Sequence, residues 1–195
     1  MIDQLKGNRT FVALSIFMGS VVILSNYLVQ FPFRHFNLEE ILTYGAFTYP
    51  ISFLVTDLAN RSFGKKIARK IVYFGFFVGV TISIILSFQQ FDLIATRIAI
   101  ASGTAFLIAQ LLDVKIFDIL RKKIWYLPPL ISSIVGSTVD TFLFFSISFY
   151  LTGVNWISLG LGDLTVKLLV ALIMLIPFRL LMNFLSDTNL DLKKI

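Results

Sequence analysis

The chain has 195 residues and a mass of 22.1 kDa; it is 57% hydrophobic and only 14% charged, with 21 phenylalanines and a mean hydropathy of +0.86. Soluble domains carry about 25% charge, and a water-soluble fold of this size has too little interior for so much apolar surface. A disordered chain has the opposite bias and is excluded too. With no cysteine and one histidine, His35, the chain has no disulfide, thiolate metal site or histidine-rich centre, so neither metal nor cofactor is expected. The bilayer is the solvent. The net charge of +6 then reads as a topology signal, not as a nucleic-acid footprint.

Spanning about 30 Å of hydrocarbon takes roughly 20 apolar residues per helix. Taken in chain order, the sequence predicts an all-α integral membrane domain over 1–195, with helices at about 10–30, 41–58, 69–91, 97–113, 127–151 and 164–185. Thr10 to Gln30 and Ile71 to Phe91 contain no ionisable group. The first is too long for a signal-peptide core and lacks a small-residue cleavage site, so it is expected to stay. The second predicted helix is short, carries Pro50 and ends at Asp57, and the fourth lies between Arg97 and Asp113. From Ile124 to Gly162 the sole ionisable residue is Asp140, near mid-depth; Gly160-Leu161-Gly162 reads as a turn, and the last helix holds Lys167 and Arg179. Thirteen of the 17 Lys and Arg fall at the termini and in the second–third and fourth–fifth connections. Six crossings with both termini in the cytoplasm satisfy that bias.

Polar side chains inside a membrane are costly and usually face the bundle interior. Asn26 and Gln30 share a face of the first helix, and Gly45, Thr48, Tyr49, Ser52 and Thr56 form a stripe on the second. Gly103, Gln110 and Asp113 cluster on the fourth, and Ser133, Gly136, Ser137, Asp140 and Thr141 on the fifth. Such stripes serve either as helix-packing glue or as a pocket wall. A carboxylate at mid-bilayer needs a partner or a wet cavity, so Asp140 is expected to line a substrate or proton path. Lys167 is placed about one turn below the outer surface, with Asp140 about 12 Å deeper at 1.5 Å per residue. Asp163, four residues before Lys167, is therefore its simpler partner, and Arg179 is within reach of Asp57 or Asp113. Pro50 and Pro177 free backbone carbonyls, as discontinuous helices beside binding sites do. No phosphate loop, HExxH or GxSxG motif occurs, so enzyme chemistry has no footing here.

The motifs Ser25-Asn26-Tyr27-Leu28-Val29-Gln30, Tyr44-Gly45-Ala46-Phe47-Thr48-Tyr49-Pro50 and Thr56-Asp57-Leu58 with Phe63-Gly64 carry a resemblance. So do Arg97 to Ser102, Gln110-Leu111-Leu112-Asp113-Val114, and Pro128 with Ser132, Gly136 and Asp140-Thr141, in the same order. Together they resemble the YhhQ family of queuosine-precursor transporters, also called the vitamin uptake transporter family. The likeness covers nearly the whole chain; one departure is Ser137, where the family tends to have Asn. The resemblance implies a bacterial inner-membrane importer of 7-cyano-7-deazaguanine or a related deazapurine, similar in fold to the six-helix substrate-binding components of vitamin importers.

The chemistry agrees. A guanine-like base presents a ring N–H and an exocyclic amine that a carboxylate accepts together, beside a carbonyl suited to an amide donor. Asp140 supplies the carboxylate, Asn26, Gln30 and Gln110 the amides, and Tyr49 a stacking platform, with Thr48, Ser137 and Thr141 beside them. Asp57, Asp113, Lys167 and Arg179 are candidate coupling or gating groups. Energy would come from a proton on Asp140 or Asp113, or from trapping by cytoplasmic enzymes. The partners expected are the deazapurine and membrane lipid, not nucleic acid, and self-association is compatible with a bundle this small. Two rivals stand beside this reading: a substrate-binding subunit of an ATP-driven importer, and an assembly protein without substrate.

Overall fold

A computed structural model describes residues 2–28, 31–35, 42–87 and 93–191, and over these the chain is helical except for turns and one isolated bridge between Pro32 and Thr43. The elements are α1 (Ile2–Leu28), α2 (Gly45–Thr48), α3 (Pro50–Phe63), α4 (Lys65–Ser87), α5 (Leu93–Leu120), α6 (Leu127–Phe149) and α7 (Trp156–Asp191). Gln30 lies outside the described residues.

Burial is inverted relative to a soluble protein. Large apolar side chains face outward, with Phe77 at 66% and Leu180 at 65% exposure, while Asp57, Asp113, Asp140 and Lys167 are buried. Hydrocarbon rewards this arrangement and water does not. Among the described residues four stretches are long and apolar enough to cross a membrane: Phe11–Leu28, Thr96–Leu120, Leu127–Phe149 and Trp156–Met182.

The centre of the bundle is α3. Every residue from Ser52 to Asn60 is buried, and α3 packs against α1, α4, α5, α6 and α7. Pro50 sits at its first position, where a missing N–H costs nothing. Tyr49 links α2 to α3 with helical dihedrals (φ −58°, ψ −40°), so the break at Pro50 is a stagger within one nearly continuous helical segment. At the other end Gly64 takes φ +84°, which favours glycine, and α4 begins at the next residue. Between α1, α3, α4 and α5 lies an apolar core of Met18, Val22, Val55, Ala59, Ile71, Val72, Phe106 and Val114; Leu54, Leu58, Phe117 and Phe178 form a second one.

Two boundaries differ from the sequence reading and matter for the site. The fifth helical element, α5, runs past Asp113 to Leu120, so Asp113 is an interior residue covered by neighbouring helices, not a helix end. The last, α7, begins at Trp156, so Gly160-Leu161-Gly162 is helical and not a turn. Glycine is more frequent in membrane helices than in soluble ones, which removes its force as a breaker there. Arg97, at the start of α5, donates to the carbonyls of Ile147 (3.0 and 2.8 Å) and Tyr150 (2.8 Å) and caps the end of α6.

Candidate functional site

Along one face of α3, residues four apart meet residues four apart on the antiparallel α6, making three rungs spaced about 6 Å at 1.5 Å per residue. Tyr49 meets Asp140, Phe53 meets Gly136, and Asp57 meets Ser132 and Ser133. The rungs differ in chemistry.

The first rung is ionic. The Tyr49 hydroxyl donates to Asp140 Oδ1 (2.8 Å), and Lys167 Nζ donates to Asp140 Oδ2 (2.9 Å). Lys167 also holds Asp163 Oδ2 at 2.5 Å, donates to Thr141 Oγ1 (3.2 Å) and lies 5.0 Å from the centre of the Tyr49 ring. Thr141 in turn donates to Asp163 (2.9 Å). Asp140 is 4% exposed and Lys167 5%. One ammonium thus serves two carboxylates, and the cluster pins the α2–α3 junction to α6 and α7. In low dielectric such a pair is held only if its remaining polar atoms are also satisfied, and here the hydroxyls of Tyr49 and Thr141 do that.

The middle rung is a steric contact. A Cβ on Gly136 would stand 2.6 Å from Phe53 Cε1, so only glycine admits the buried ring. The third rung is acidic. Asp57 accepts from Ser132 (3.1 Å) and Ser133 (3.4 Å), and Asp113 of α5 lies against Asp57 and Ser132.

Another face of α3 is tied to α5. Thr56 donates to Gln110 Oε1 (2.6 Å), Gln110 Nε2 donates to Ser52 Oγ (2.8 Å), and Asn60 Nδ2 donates to the Val114 carbonyl (2.9 Å). Arg121 closes this row on the Asn60 carbonyl (2.6 Å). These bonds tie α3 to α5.

Two small cavities flank the ladder, each of about 10 Å³, which seats about one water. One lies among Asn26, Tyr49, Gly79, Ser102, Gly103 and Phe106; the other among Pro50, Phe53, Asp57, Ser133, Ser137 and Phe178. Neither of these two cavities among the described residues admits anything the size of a purine, and in that sense this conformation is closed.

The structure brings Tyr49, Asp140 and Thr141 together with Lys167, and Asp57 together with Asp113. Asn26 shares a cavity wall with Tyr49, while Thr48 accepts from Ser25 of α1 (3.0 Å). Ser137 lines the other cavity. Gln110, a predicted cargo amide, is fully buried with both ends of its amide engaged between helices. Two expectations are corrected. Asp140 lines neither cavity; it is ion-paired. It reaches Lys167 because α7 starts early: Lys167 is 11 residues into α7 and Asp140 nine from the end of α6, about 16 and 14 Å along antiparallel axes. Arg179 meets neither Asp57 nor Asp113. Phe178 is the inward residue at that turn, and Arg179, about 100° round the helix, lies 4.9 Å over the Trp125 ring. Sequence reasoning paired Asp163 with Lys167 but missed its bond from Thr141, which the misplaced turn had hidden.

Comparison with known proteins gives a consistent result. A family described as "Putative vitamin uptake transporter" matches residues 43–182. A protein of Haemophilus influenzae named "Probable queuosine precursor transporter" is 37% identical, covering 90% of this chain and 86% of its own length. The "Queuosine precursor transporter" of Escherichia coli K12 is 33% identical over 99% of this chain and 96% of its own. A "Probable queuosine precursor transporter" of Bacillus subtilis is 27% identical over 84% and 81%. No solved structure matches.

Proposed function

We propose, from the premise that this multi-pass membrane protein belongs to the vitamin uptake transporter family, that it carries a queuosine precursor into the bacterial cytoplasm. The cargo is 7-cyano-7-deazaguanine or a close deazapurine. The route is alternating access through six crossings of the inner membrane, with both termini and the basic connections on the cytoplasmic side.

The observation that carries this reading is the position of Tyr49. Its ring lines the cavity beside Asn26, and its hydroxyl occupies Asp140. It stands between the space where a base would enter and the carboxylate that would receive it. A deazaguanine offers two adjacent N–H donors. They match the two donors that Asp140 now holds, one from Tyr49 and one from Lys167. When cargo displaces them, Lys167 is not orphaned, because Asp163 remains its partner. That alternative lowers the cost of opening a buried ion pair, since an unpaired buried charge is what makes such breakage expensive. Asn26, on the same cavity wall, would serve the carbonyl side of the base, and Phe106, 6.3 Å from the Tyr49 ring, would stack on it.

Uptake of labelled 7-cyano-7-deazaguanine by cells carrying Asp140→Ala or Asp140→Asn tests the assignment at equal membrane abundance. Losing a charge-assisted donor pair is expected to reduce uptake at low cargo concentration by roughly 10-fold or more. Wild-type uptake in both variants would remove Asp140 from cargo recognition.

A further inference from the structure

The third rung holds a feature that cargo binding does not use. Asp57 is 2% exposed and Asp113 is fully buried, and they neighbour each other in the α3–α5 packing, where Thr56 meets Gln110 and Asn60 meets Val114, with no described cation between them. Of the described cations at this end, Lys65 pairs with Asp118, Arg61 and Arg121 reach backbone carbonyls, Arg121 also meets Asp118, and Arg179 lies over Trp125, while Lys66, Arg69, Lys70, Lys115, Lys122 and Lys123 are exposed. Lys167 is held two rungs away. The groups that do face the pair are the hydroxyls of Ser132 and Ser133; both reach Asp57 (3.1 and 3.4 Å), and Ser132 also lies against Asp113. Neither oxygen of Asp113 receives a hydrogen bond from any described side chain or backbone group. A second unpartnered group, the Ser137 hydroxyl, 1% exposed, lines the small cavity that reaches Asp57.

Two acceptors face each other and lack a donor. Two like charges side by side away from water cannot both persist, and sharing one proton resolves the repulsion and supplies the missing donor at once. We propose that Asp57 and Asp113 hold one proton between them in the closed conformation, and that its gain from outside and loss to the cytoplasm drives cargo accumulation. The coupling half rests on the transport reading above; the shared proton does not. The cavity of about 10 Å³ at Asp57, Ser133 and Ser137 is the size of one water and gives the proton its first step out. The step is a transfer between water and a carboxylate, so the pair cycles between one proton and none as the bundle opens.

In proteoliposomes holding the full chain, one proton per cargo predicts about tenfold accumulation of labelled deazapurine for each pH unit of inward gradient. Asp113→Asn, which keeps a donor against Asp57 but cannot release it, is expected to exchange labelled for unlabelled cargo and to accumulate none. Accumulation by Asp113→Asn equal to wild type overturns the coupling, as does wild-type accumulation that follows a sodium gradient instead. Infrared spectroscopy of the purified protein with labelled aspartate reads the dyad without transport. At neutral pH the wild type should show a protonated carboxyl band that Asp113→Asn lacks. No such band overturns the shared proton. If no deazapurine enters wild-type vesicles but the band is present, the transport reading fails and the dyad stands.

Discussion

The first and third rungs of the α3–α6 ladder lie two turns apart on the same helices and meet the problem of buried charge in opposite ways. At Tyr49–Asp140 the negative charge is matched by Lys167, whose ammonium has a second carboxylate in reserve. At Asp57–Asp113 no cation is present among the described residues, and the serines satisfy just one of the two carboxylates. A charge with its own counterion can be exposed to cargo and then closed again. A charge without one must collect a counterion from solution each time it is buried. The first arrangement suits recognition, and the second suits coupling.

The largest effect should come from removing the counterion. Lys167→Ala leaves the buried Asp140 and the partly buried Asp163 without a counterion, and breaking such a pair costs about 3–5 kcal/mol. Thermal or denaturant unfolding in detergent should show that loss. Asp113→Asn orphans no opposite charge, so its stability should stay within about 1 kcal/mol of wild type. Similar losses in the two variants would erase the distinction between the rungs.

The next effect is expected at the steric rung that keeps the two regions apart. In Gly136→Ala the new methyl meets Phe53, whose ring is 1% exposed and has nowhere to go. Overpacking of this kind costs about 1–3 kcal/mol. The double variant with Phe53→Leu should recover part of the loss, because the smaller side chain clears the methyl. Wild-type unfolding of Gly136→Ala alone would mean that the rung yields, and that the two chemistries are not insulated by it.

Much of this was legible in the sequence. The all-helical membrane class followed from composition, and the polar stripes named the inward faces, including Tyr49, Asp113 and Asp140, whereas Asp57 reads as a helix end. Spacing tells which residues share a face, but not which neighbour that face meets. Gln110 shows the limit: its position on an inward stripe was readable, but its engagement by Thr56 and Ser52 depends on the register of α3 against α5. The Asp140–Lys167 pair was missed for a different reason. Two glycines at 160 and 162 look like a turn in water, and moving the start of a helix by eight residues moves every later side chain by about 12 Å. Asp113 was misplaced because a carboxylate followed by lysine resembles a membrane boundary, whereas α5 carries it into the interior.

The smallest effect is the most discriminating. Tyr49→Phe keeps the ring over Lys167 and deletes a single hydroxyl bond to Asp140. Hydrogen bonds between membrane helices are worth about 0.6 kcal/mol on average and reach about 1.7, so the stability loss should be slight. If that hydroxyl shields Asp140 from cargo, its removal takes away a competitor, and cargo should bind roughly threefold tighter as the closed state weakens. Opposite signs for stability and affinity are not expected of a residue that only packs. Nor are they expected of one that touches cargo, whose loss would weaken binding and leave the closed state alone. A ligand titration followed by thermal shift in the same detergent reads both quantities on one sample. A raised Kd in Tyr49→Phe would reassign the hydroxyl from gate to ligand, leaving Lys167 as the group that cargo must displace.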